Sequence, residues 1–448
     1  MLFQQFSFEN YQYLAEQQQI ILNYRADDYQ FAETLTFDFA QQSFPVLDDN
    51  IDKLLNYLLI AAGVSYFKLS PYAQVQHDTI PLSTLAQQFF TQLYRLGLAE
   101  FAYRNKLDLS HKCCFGTADK NVSKPRAEKK RSRAVTQQHK ALVLVGGGKD
   151  SLVSIEALKK QDVEVILFAV NPAQPIIDCA KAAGLPLIQV KRQLDEQLFY
   201  LNEQGGLNGH VPITAIISFI ASFVAIALGC DYVVTSNEAS ANEATVVHNG
   251  IEVNHQYSKS LAFERDFSQL LASELSVPFR YFSLLRQQTE MRIVQQFCQT
   301  DKYDTVFTSC NKAFKLREKK SDQRWCLACP KCQFVHLMFA VTDISEQRMM
   351  AIFSGNPLLN IDFIPDYQSL VGLTAEKPWE CVGEKLESAV AIYLLSKRTN
   401  TKNWPVVKNL APQVIQNYGE QHLQQSAIEL MALRDSHFIP EQWAHIFA

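Results

Sequence analysis

The stretch ALVLVGGGKDSLVSIEALKK, Ala141 to Lys160, sets a wholly apolar run against a glycine-rich turn and then an amphipathic segment. The apolar run reads as a buried strand. Leu152, Ile155 and Leu158 have helical spacing, so the turn delivers the chain from a strand to a helix N-terminus. It is not a Walker A loop, which would need glycine at 143 and a hydroxyl at 150, where this chain has Val143 and Asp150. Backbone N–H groups and the positive end of the helix dipole still make an anion site there, and Gly146, Gly147 and Gly148 let the backbone approach an oxyanion closely. Lys149 is expected to add a mobile positive charge. Asp150 would repel phosphates unless a cation sits between them, and magnesium, shared between oxygen ligands and phosphates, is the natural bridge. The simpler alternative is a tight turn in which Asp150 or Ser151 caps the helix.

GGGKDS resembles the SGGxDS loop of the PP-loop ATP pyrophosphatases, with Gly146 where that family usually carries serine. The resemblance implies that ATP, bound by Gly146, Gly147, Gly148, Lys149, Asp150 and Ser151, is cleaved between its α and β phosphates, with Mg2+ at Asp150.

Outward from this loop the pattern is one of alternating strands and helices. ALVLV, VEVILFAV, LPLIQV, DYVVTS and YDTVFTS read as strands separated by helical stretches, which means a parallel sheet covered by helices, with ligands at the carboxyl ends of its strands. The fold class expected is α/β, a parallel doubly wound sheet of PP-loop or HUP-like type. An N-terminal α+β domain is expected over 1–137, an ATP-binding α/β domain with a cysteine cluster over 138–345, and a mainly helical region over 346–448.

The chain has 448 residues, 47% hydrophobic, and a formal charge of -4, which suits a globular protein and argues against an obligate nucleic-acid binder. The basic run Lys124–Val135 is expected to be a solvated linker, with a tRNA contact as the alternative. The first residues lack the basic start and apolar core of an export signal, so a cytoplasmic location is expected. His210–Cys230 carries no Asp, Glu, Lys or Arg, but Pro212, Thr214, Ser218 and Ser222 dilute it, and a helix buried in an α/β sandwich is expected rather than a membrane span.

Cys326, Cys329 and Cys332 stand at two-residue spacing, with Cys310 upstream. In a reducing compartment such clustering points to metal. Four thiolates suit a tetrahedral structural Zn2+; an iron–sulfur cluster and reduced, metal-free thiols are the alternatives. The polar segment from Thr235 to Ser260 follows a strand. Its Asn237, Glu238, His255, Tyr257 and Lys259 are candidate substrate-binding groups, of which Glu238 and His255, with Lys149 and Asp150 of the loop, are candidates for catalysis.

The order of GVSYFKLS, LAEFAYRNKL, VGGGKDSLVSIEAL, NGHVPITAI, TSNEASANEA, VNHQYSKS, SCNKAF, WCLACPKC and PWECVGE is similar to that of the UDP-N-acetylmuramoyl-L-alanyl-L-glutamate epimerase family and covers most of the chain. The resemblance implies ATP- and magnesium-dependent inversion of the terminal L-glutamate of a UDP-linked peptidoglycan precursor, with no nucleic-acid partner. Other outcomes of the same loop are an adenylating enzyme that forms an amide, a nitrile or a thiolated product, and a nucleotide-binding regulator that does not cleave ATP. Within PWECVGE, Cys381 and Glu384 are either proton carriers or packed residues at a helix start.

Overall fold

The computed structural model describes residues 2–39, 44–77, 80–109, 115–116, 138–248, 250–275, 279–314 and 323–447. The basic run 124–135 lies outside the described residues. Strands are β1 (Gln5–Leu14), β2 (Gln19–Ala26), β3 (Tyr29–Asp38), β4 (Gln74–Gln76), β5 (His139–Leu144), β6 (Val163–Val170), β7 (Leu187–Gln193), β8 (Tyr232–Thr235), β9 (Val246–His248), β10 (Ile251–Val253) and β11 (Arg280–Ser283). Helices are α1 (Asp49–Phe67), α2 (Thr84–Gly97), α3 (Ala99–Arg104), α4 (Lys149–Leu158), α5 (Gln174–Ala183), α6 (Glu196–Glu203), α7 (Ile213–Leu228), α8 (Leu261–Glu274), α9 (Glu290–Phe297), α10 (Pro330–Ala340), α11 (Glu346–Phe353), α12 (Ile364–Leu370), α13 (Lys385–Lys397), α14 (Pro405–Tyr418) and α15 (Glu420–Glu429).

Nine strands form one sheet in the order β11-β8-β5-β6-β7-β3-β2-β1-β4. From β11 to β7 every pairing is parallel. The parallel sheet expected after residue 138 is thus found, but it does not end at β7: β7 pairs antiparallel with β3, and β3–β2–β1 of the N-terminal part continue the same sheet as an antiparallel meander. The side-chain pattern explains the change. In β5, Leu142 packs into one core while Ala141 and Val143 pack into the other, so helices cover both faces. In β2 only Ile20, Leu22, Tyr24 and Ala26 are buried, the alternation of a sheet with one covered face.

The last parallel strand is also corrected. YDTVFTS is not a strand; residues 303–309 are turn and irregular chain, and the sheet edge is Arg280–Ser283. Polar engagements pull the former segment away from a ladder: Asp304 pairs with Arg348 at 2.7 Å, the Tyr303 hydroxyl donates to Glu156, and the Thr308 N–H donates to the carbonyl of Gly147 at 3.0 Å.

The apolar stretch becomes α7, with Phe219, Ile220, Phe223 and Val224 fully buried. Ser218 and Ser222 bond back to carbonyls one turn earlier, at 2.8 Å each, which satisfies both hydroxyls inside the core. Among the described residues no helix is long and apolar enough to cross a membrane.

Candidate active site

The loop after β5 is built from the backbone. Gly147 has a φ of +77°, a conformation that a side chain would strain. A Cβ added at Gly146 would meet nothing within 4 Å, so that side of the turn is open. The 303–309 segment braces the opposite side, where a Cβ on Gly148 would lie 2.8 Å from the Ser309 hydroxyl. Gly148 is the N-cap of α4 and supplies no side-chain cap. Ser151 turns inward, accepting from the Gly146 N–H at 3.4 Å and donating to the Gly148 carbonyl at 3.2 Å. Neither Asp150 nor Ser151 caps the helix, and the dipole end faces the open cradle.

Lys149 is not the mobile charge expected. It is 0% exposed and its Nζ donates to both Asp150 and Glu290. Burial disfavours its charge, but the two carboxylates outweigh that and raise its pKa above the ordinary lysine value. Asp150 shows the converse: burial opposes ionisation, and Lys149 with Lys331 overcomes it to hold the carboxyl below the usual range. Glu290, itself 0% exposed, is pushed up by burial. It enters from the first turn of α9, just after the end of β11, and nothing local in its sequence marks it as a partner of residue 149.

The polar segment after β8 is held by Arg286, which is 1% exposed. Its guanidinium donates to Glu264 at 2.7 and 2.9 Å, to the carbonyl of Glu238 at 2.9 Å and to the carbonyl of Lys259 at 2.7 Å. One buried cation therefore sets the positions of two candidate residues. Glu238 accepts from the Ser240 hydroxyl at 3.2 Å, and Asn237 donates to Thr235 at 3.2 Å while its carbonyl accepts from Ser283 at 2.6 Å. Tyr257 is not brought to this group; its ring lies in the apolar core, edge-on to Phe263.

His255 and Lys259 meet residues from both ends of the chain. The His255 Nδ1 lies 2.5 Å from a carboxylate oxygen of Glu100 in α3, and the His210 ring sits 4.6 Å from that of His255. The Lys259 Nζ donates to the Cys381 sulfur at 3.2 Å, and the His255 imidazole favours the ionised form of the same thiol. PWECVGE therefore reaches back to the site. Its docking is built from several contacts: Trp379 packs on Tyr103 at 5.2 Å and under Arg104 at 5.7 Å, Glu380 accepts from the Lys331 N–H at 2.8 Å, and Lys377 pairs with Glu243 at 2.6 Å. A Cβ on Gly383 would come within 2.4 Å of the Phe334 ring, so only glycine lets the segment lie this close to α10. Glu384 is instead at the helix start, capping position of α13, and pairs with Arg434 at 2.7 Å.

The electrostatics of this cluster follow from the pairing. Burial works against a thiolate at Cys381, but the Lys259 ammonium and the His255 hydrogen bond prevail and bring the pKa down to about 6. Burial likewise works against a charged His255, and Cys381 and Glu100 prevail to raise it to about 9. His210, buried beside that charge, falls to about 4 and is neutral at pH 7. Sequence reasoning missed Glu100 as well as Glu290. LAEFAYRNKL contains Glu100, yet a lone glutamate on an apolar helix has no local feature that marks it.

The four cysteines converge. The sulfurs of Cys310, Cys326, Cys329 and Cys332 all lie within 4.8 Å of one another. A tetrahedron of thiolates around zinc, at about 2.3 Å per bond, requires sulfurs about 3.8 Å apart, and Cys326 and Cys332 are 3.8 Å apart. The donor set fits a closed structural zinc site joining Cys310, just after the 303–309 segment, to the start of α10.

Fold and site together define a mixed α/β protein with an open glycine loop at the carboxyl edge of its parallel strands and a buried cluster of Glu100, His255, Lys259 and Cys381. Comparison with known proteins narrows this class. The family model for the MurL N-terminal domain matches residues 1–284, and that for the MurL C-terminal domain matches residues 306–425. This chain belongs to the MurL family. A relative from Micromonospora sp. is 39% identical over 86% of this chain and 84% of its own length. Relatives from Xanthomonas oryzae pv. oryzae and Salinispora tropica are each 38% identical, over 87% and 85% of this chain and 84% and 81% of their own lengths. All three are named UDP-N-acetyl-alpha-D-muramoyl-L-alanyl-L-glutamate epimerase.

Proposed function

We propose that this protein inverts the terminal L-glutamate of UDP-N-acetylmuramoyl-L-alanyl-L-glutamate to D-glutamate in peptidoglycan precursor synthesis, with ATP activating the α-carboxylate and AMP and diphosphate released. The observation that carries the reading is the shared name of relatives that align over 85 to 87% of this chain. The open glycine cradle beside a cluster of acid–base groups supports it.

The chemistry explains why a nucleotide is needed. Removing the α-proton next to an ionised carboxylate would place a second negative charge beside the first. Adenylation replaces that carboxylate by a neutral, electron-poor carbonyl; a base can then take the α-proton to an enolate, and protonation on the other face inverts the centre. Hydrolysis of the adenylate frees the D-glutamyl product and makes the process directional. The glutamate amine lies in a peptide bond, so a Schiff base with a carbonyl cofactor is not open to it.

Within this reading the loop acts as in PP-loop folds of the HUP-like type. Gly146, Gly147, Gly148 and Ser151 cradle the β and γ phosphates through backbone N–H groups, and Lys149 holds Asp150 ionised. Asp150 is 24% exposed at the side chain and presents an oxygen ligand at the cradle, which suits magnesium shared with the phosphates. Asn237, Glu238, His255 and Lys259 line the substrate side, and Cys310, Cys326, Cys329 and Cys332 would hold a zinc ion that would fix the brace behind the loop. The reaction is expected in the cytoplasm.

The test is incubation of the purified protein with the L-glutamyl substrate, ATP and magnesium, with chiral analysis of the glutamate and assay of nucleotide products. One AMP and one diphosphate per D-glutamyl product are expected. ADP and phosphate, or epimer formed without nucleotide cleavage, would overturn the adenylate route; an amide or thio product would overturn the epimerase itself.

A further inference from the structure

The epimerase reading leaves the proton-transfer group unassigned, and the thiol cluster supplies one. We propose that Cys381 is the catalytic residue that removes the glutamyl α-proton, and that His255, held by Glu100, is the positioning residue that keeps its sulfur ionised. The inference rests on the proposed epimerase function and goes beyond it by naming the base.

Four observations carry it. Cys381 is the thiol that receives both a lysine ammonium and an imidazole, where Cys179 and Cys298 are buried thiols pushed up to about 12 and about 11 by their surroundings. Glu100 engages the Nδ1 of His255, and His255 and Cys381 each favour the other's charged form, which couples Glu100 to the thiol through the imidazole. Cys381 shares its cation with the loop: Cys381, Glu238 and Asp150 all favour the charged form of Lys259. Finally, the docking of residues 376–384 on α3 and α10 brings Cys381 here from a region of the chain that otherwise packs as helices.

The step balances without a further cofactor. A lone pair of the Cys381 thiolate takes the α-proton of the adenylated glutamate, so the S–H bond forms as the C–H bond breaks and the electron pair moves onto the carbonyl oxygen as an enolate. Water on the opposite face gives a proton to the α-carbon, which produces the D centre and hydroxide. The hydroxide takes the proton from the thiol, restoring the thiolate. His255 stays protonated throughout and Lys259 keeps the developing charge compensated.

The experiment follows Cys381→Ala and Cys381→Ser in heavy water beside the parent protein, measuring AMP release, D-glutamyl product and deuterium at the α-carbon. The parent should give fully deuterated D-product. Each variant should keep AMP release within a few-fold, which also reports an intact fold, while losing at least about 100-fold in epimer formation, the lower range for removing a proton-transfer group. The recovered L-glutamyl substrate should carry no deuterium. Epimer formation within a few-fold of the parent, or deuterium in the L-glutamyl substrate recovered from the variants, would overturn the assignment. A parent that forms no epimer with ATP fails at an earlier point and removes the functional reading and this inference together.

Glu100→Gln tests the positioning role. Cys381 faces Lys259, His255 and Lys331, and His255 faces Glu100 and His210. Loss of the Glu100 charge should move the acid limb of epimer formation to higher pH while leaving AMP release in place. An unchanged limb would remove Glu100 and His255 from the mechanism.

Discussion

Replacing Lys149 with methionine leaves the shape of the loop nearly intact and strips the compensation from two carboxylates. The Lys149 side chain is 1% exposed and that of Glu290 is 0%, so Glu290 would be left buried beside the Asp150 carboxylate, with Lys331, 4.0 Å away, as its remaining ion-pair partner among the described residues. Breaking a buried pair by removing one partner costs about 3–5 kcal/mol. For a chain of 448 residues unfolding as one unit, an entropy of about 2 cal/mol/K per residue turns that loss into about 3–5 °C of melting temperature. Glu290→Gln alone should cost less, because Lys149 keeps Asp150. The double variant should recover about 0.5–3 kcal/mol relative to the sum of the singles, the range for residues in one ion-pair network. The pH dependence has a definite sign. Glu290 already has a raised pKa in the folded protein, chiefly from burial, and losing Lys149 raises it further. A carboxyl with a raised folded pKa loses stability as pH rises above its unfolded value, so the Lys149→Met penalty should be larger at pH 8 than at pH 5. Equilibrium urea unfolding of the four proteins at both pH values measures this. A Lys149→Met protein as stable as the parent at pH 8, or with the same penalty at pH 5, would refute the buried-network argument.

Asp150→Asn should abolish diphosphate release and leave the melting temperature within a few degrees, as read by a coupled diphosphate assay and calorimetry, since Glu290 still neutralises Lys149. Elemental analysis should find about one zinc per chain, lowered in Cys329→Ser together with thermal stability; iron with a brown chromophore after anaerobic purification would assign a cluster instead. The folded Cys381 thiol, at about 6, lies below the ordinary value near ~8.5, so its linkage is fully present above the unfolded pKa and lost as pH falls through the folded one. Any destabilisation of Cys381→Ala should accordingly grow between pH 6 and 8.5, and a penalty that shrinks over that range would contradict the depressed thiol.

Local pattern made the strand–loop–helix unit at 141–160 legible, along with α7, because each carries its own periodicity and boundaries. β11 was not legible: RYFS is four residues long, and its neighbour YDTVFTS shows a better apolar run that polar contacts with α11 and the glycine loop draw away from the sheet. The antiparallel join of β3 to β7 is a long-range pairing that no window of sequence contains. The same limit governed the site. Lys149, Asp150 and the cysteine cluster stand in recognisable runs, whereas Glu100 and Glu290 acquire meaning only when the fold buries them against His255 and Lys149. Tyr257 was drawn in by composition, and its packing against Phe263 shows why polar neighbours alone do not place a ring in a cleft.

The thiol cluster gathers Glu100, His255 and Cys381 from the first quarter, the middle and the last fifth of the polypeptide. On a ribosome, the glycine loop emerges long before the segment that holds Cys381. A nascent chain can shape its glycine loop while its imidazole still waits for a sulfur, so the cluster stays incomplete until nearly the whole molecule has left the exit tunnel. Order of synthesis thereby becomes a safeguard: a prematurely terminated chain that ends before residue 381 lacks the sulfur of this cluster, whatever the state of its loop.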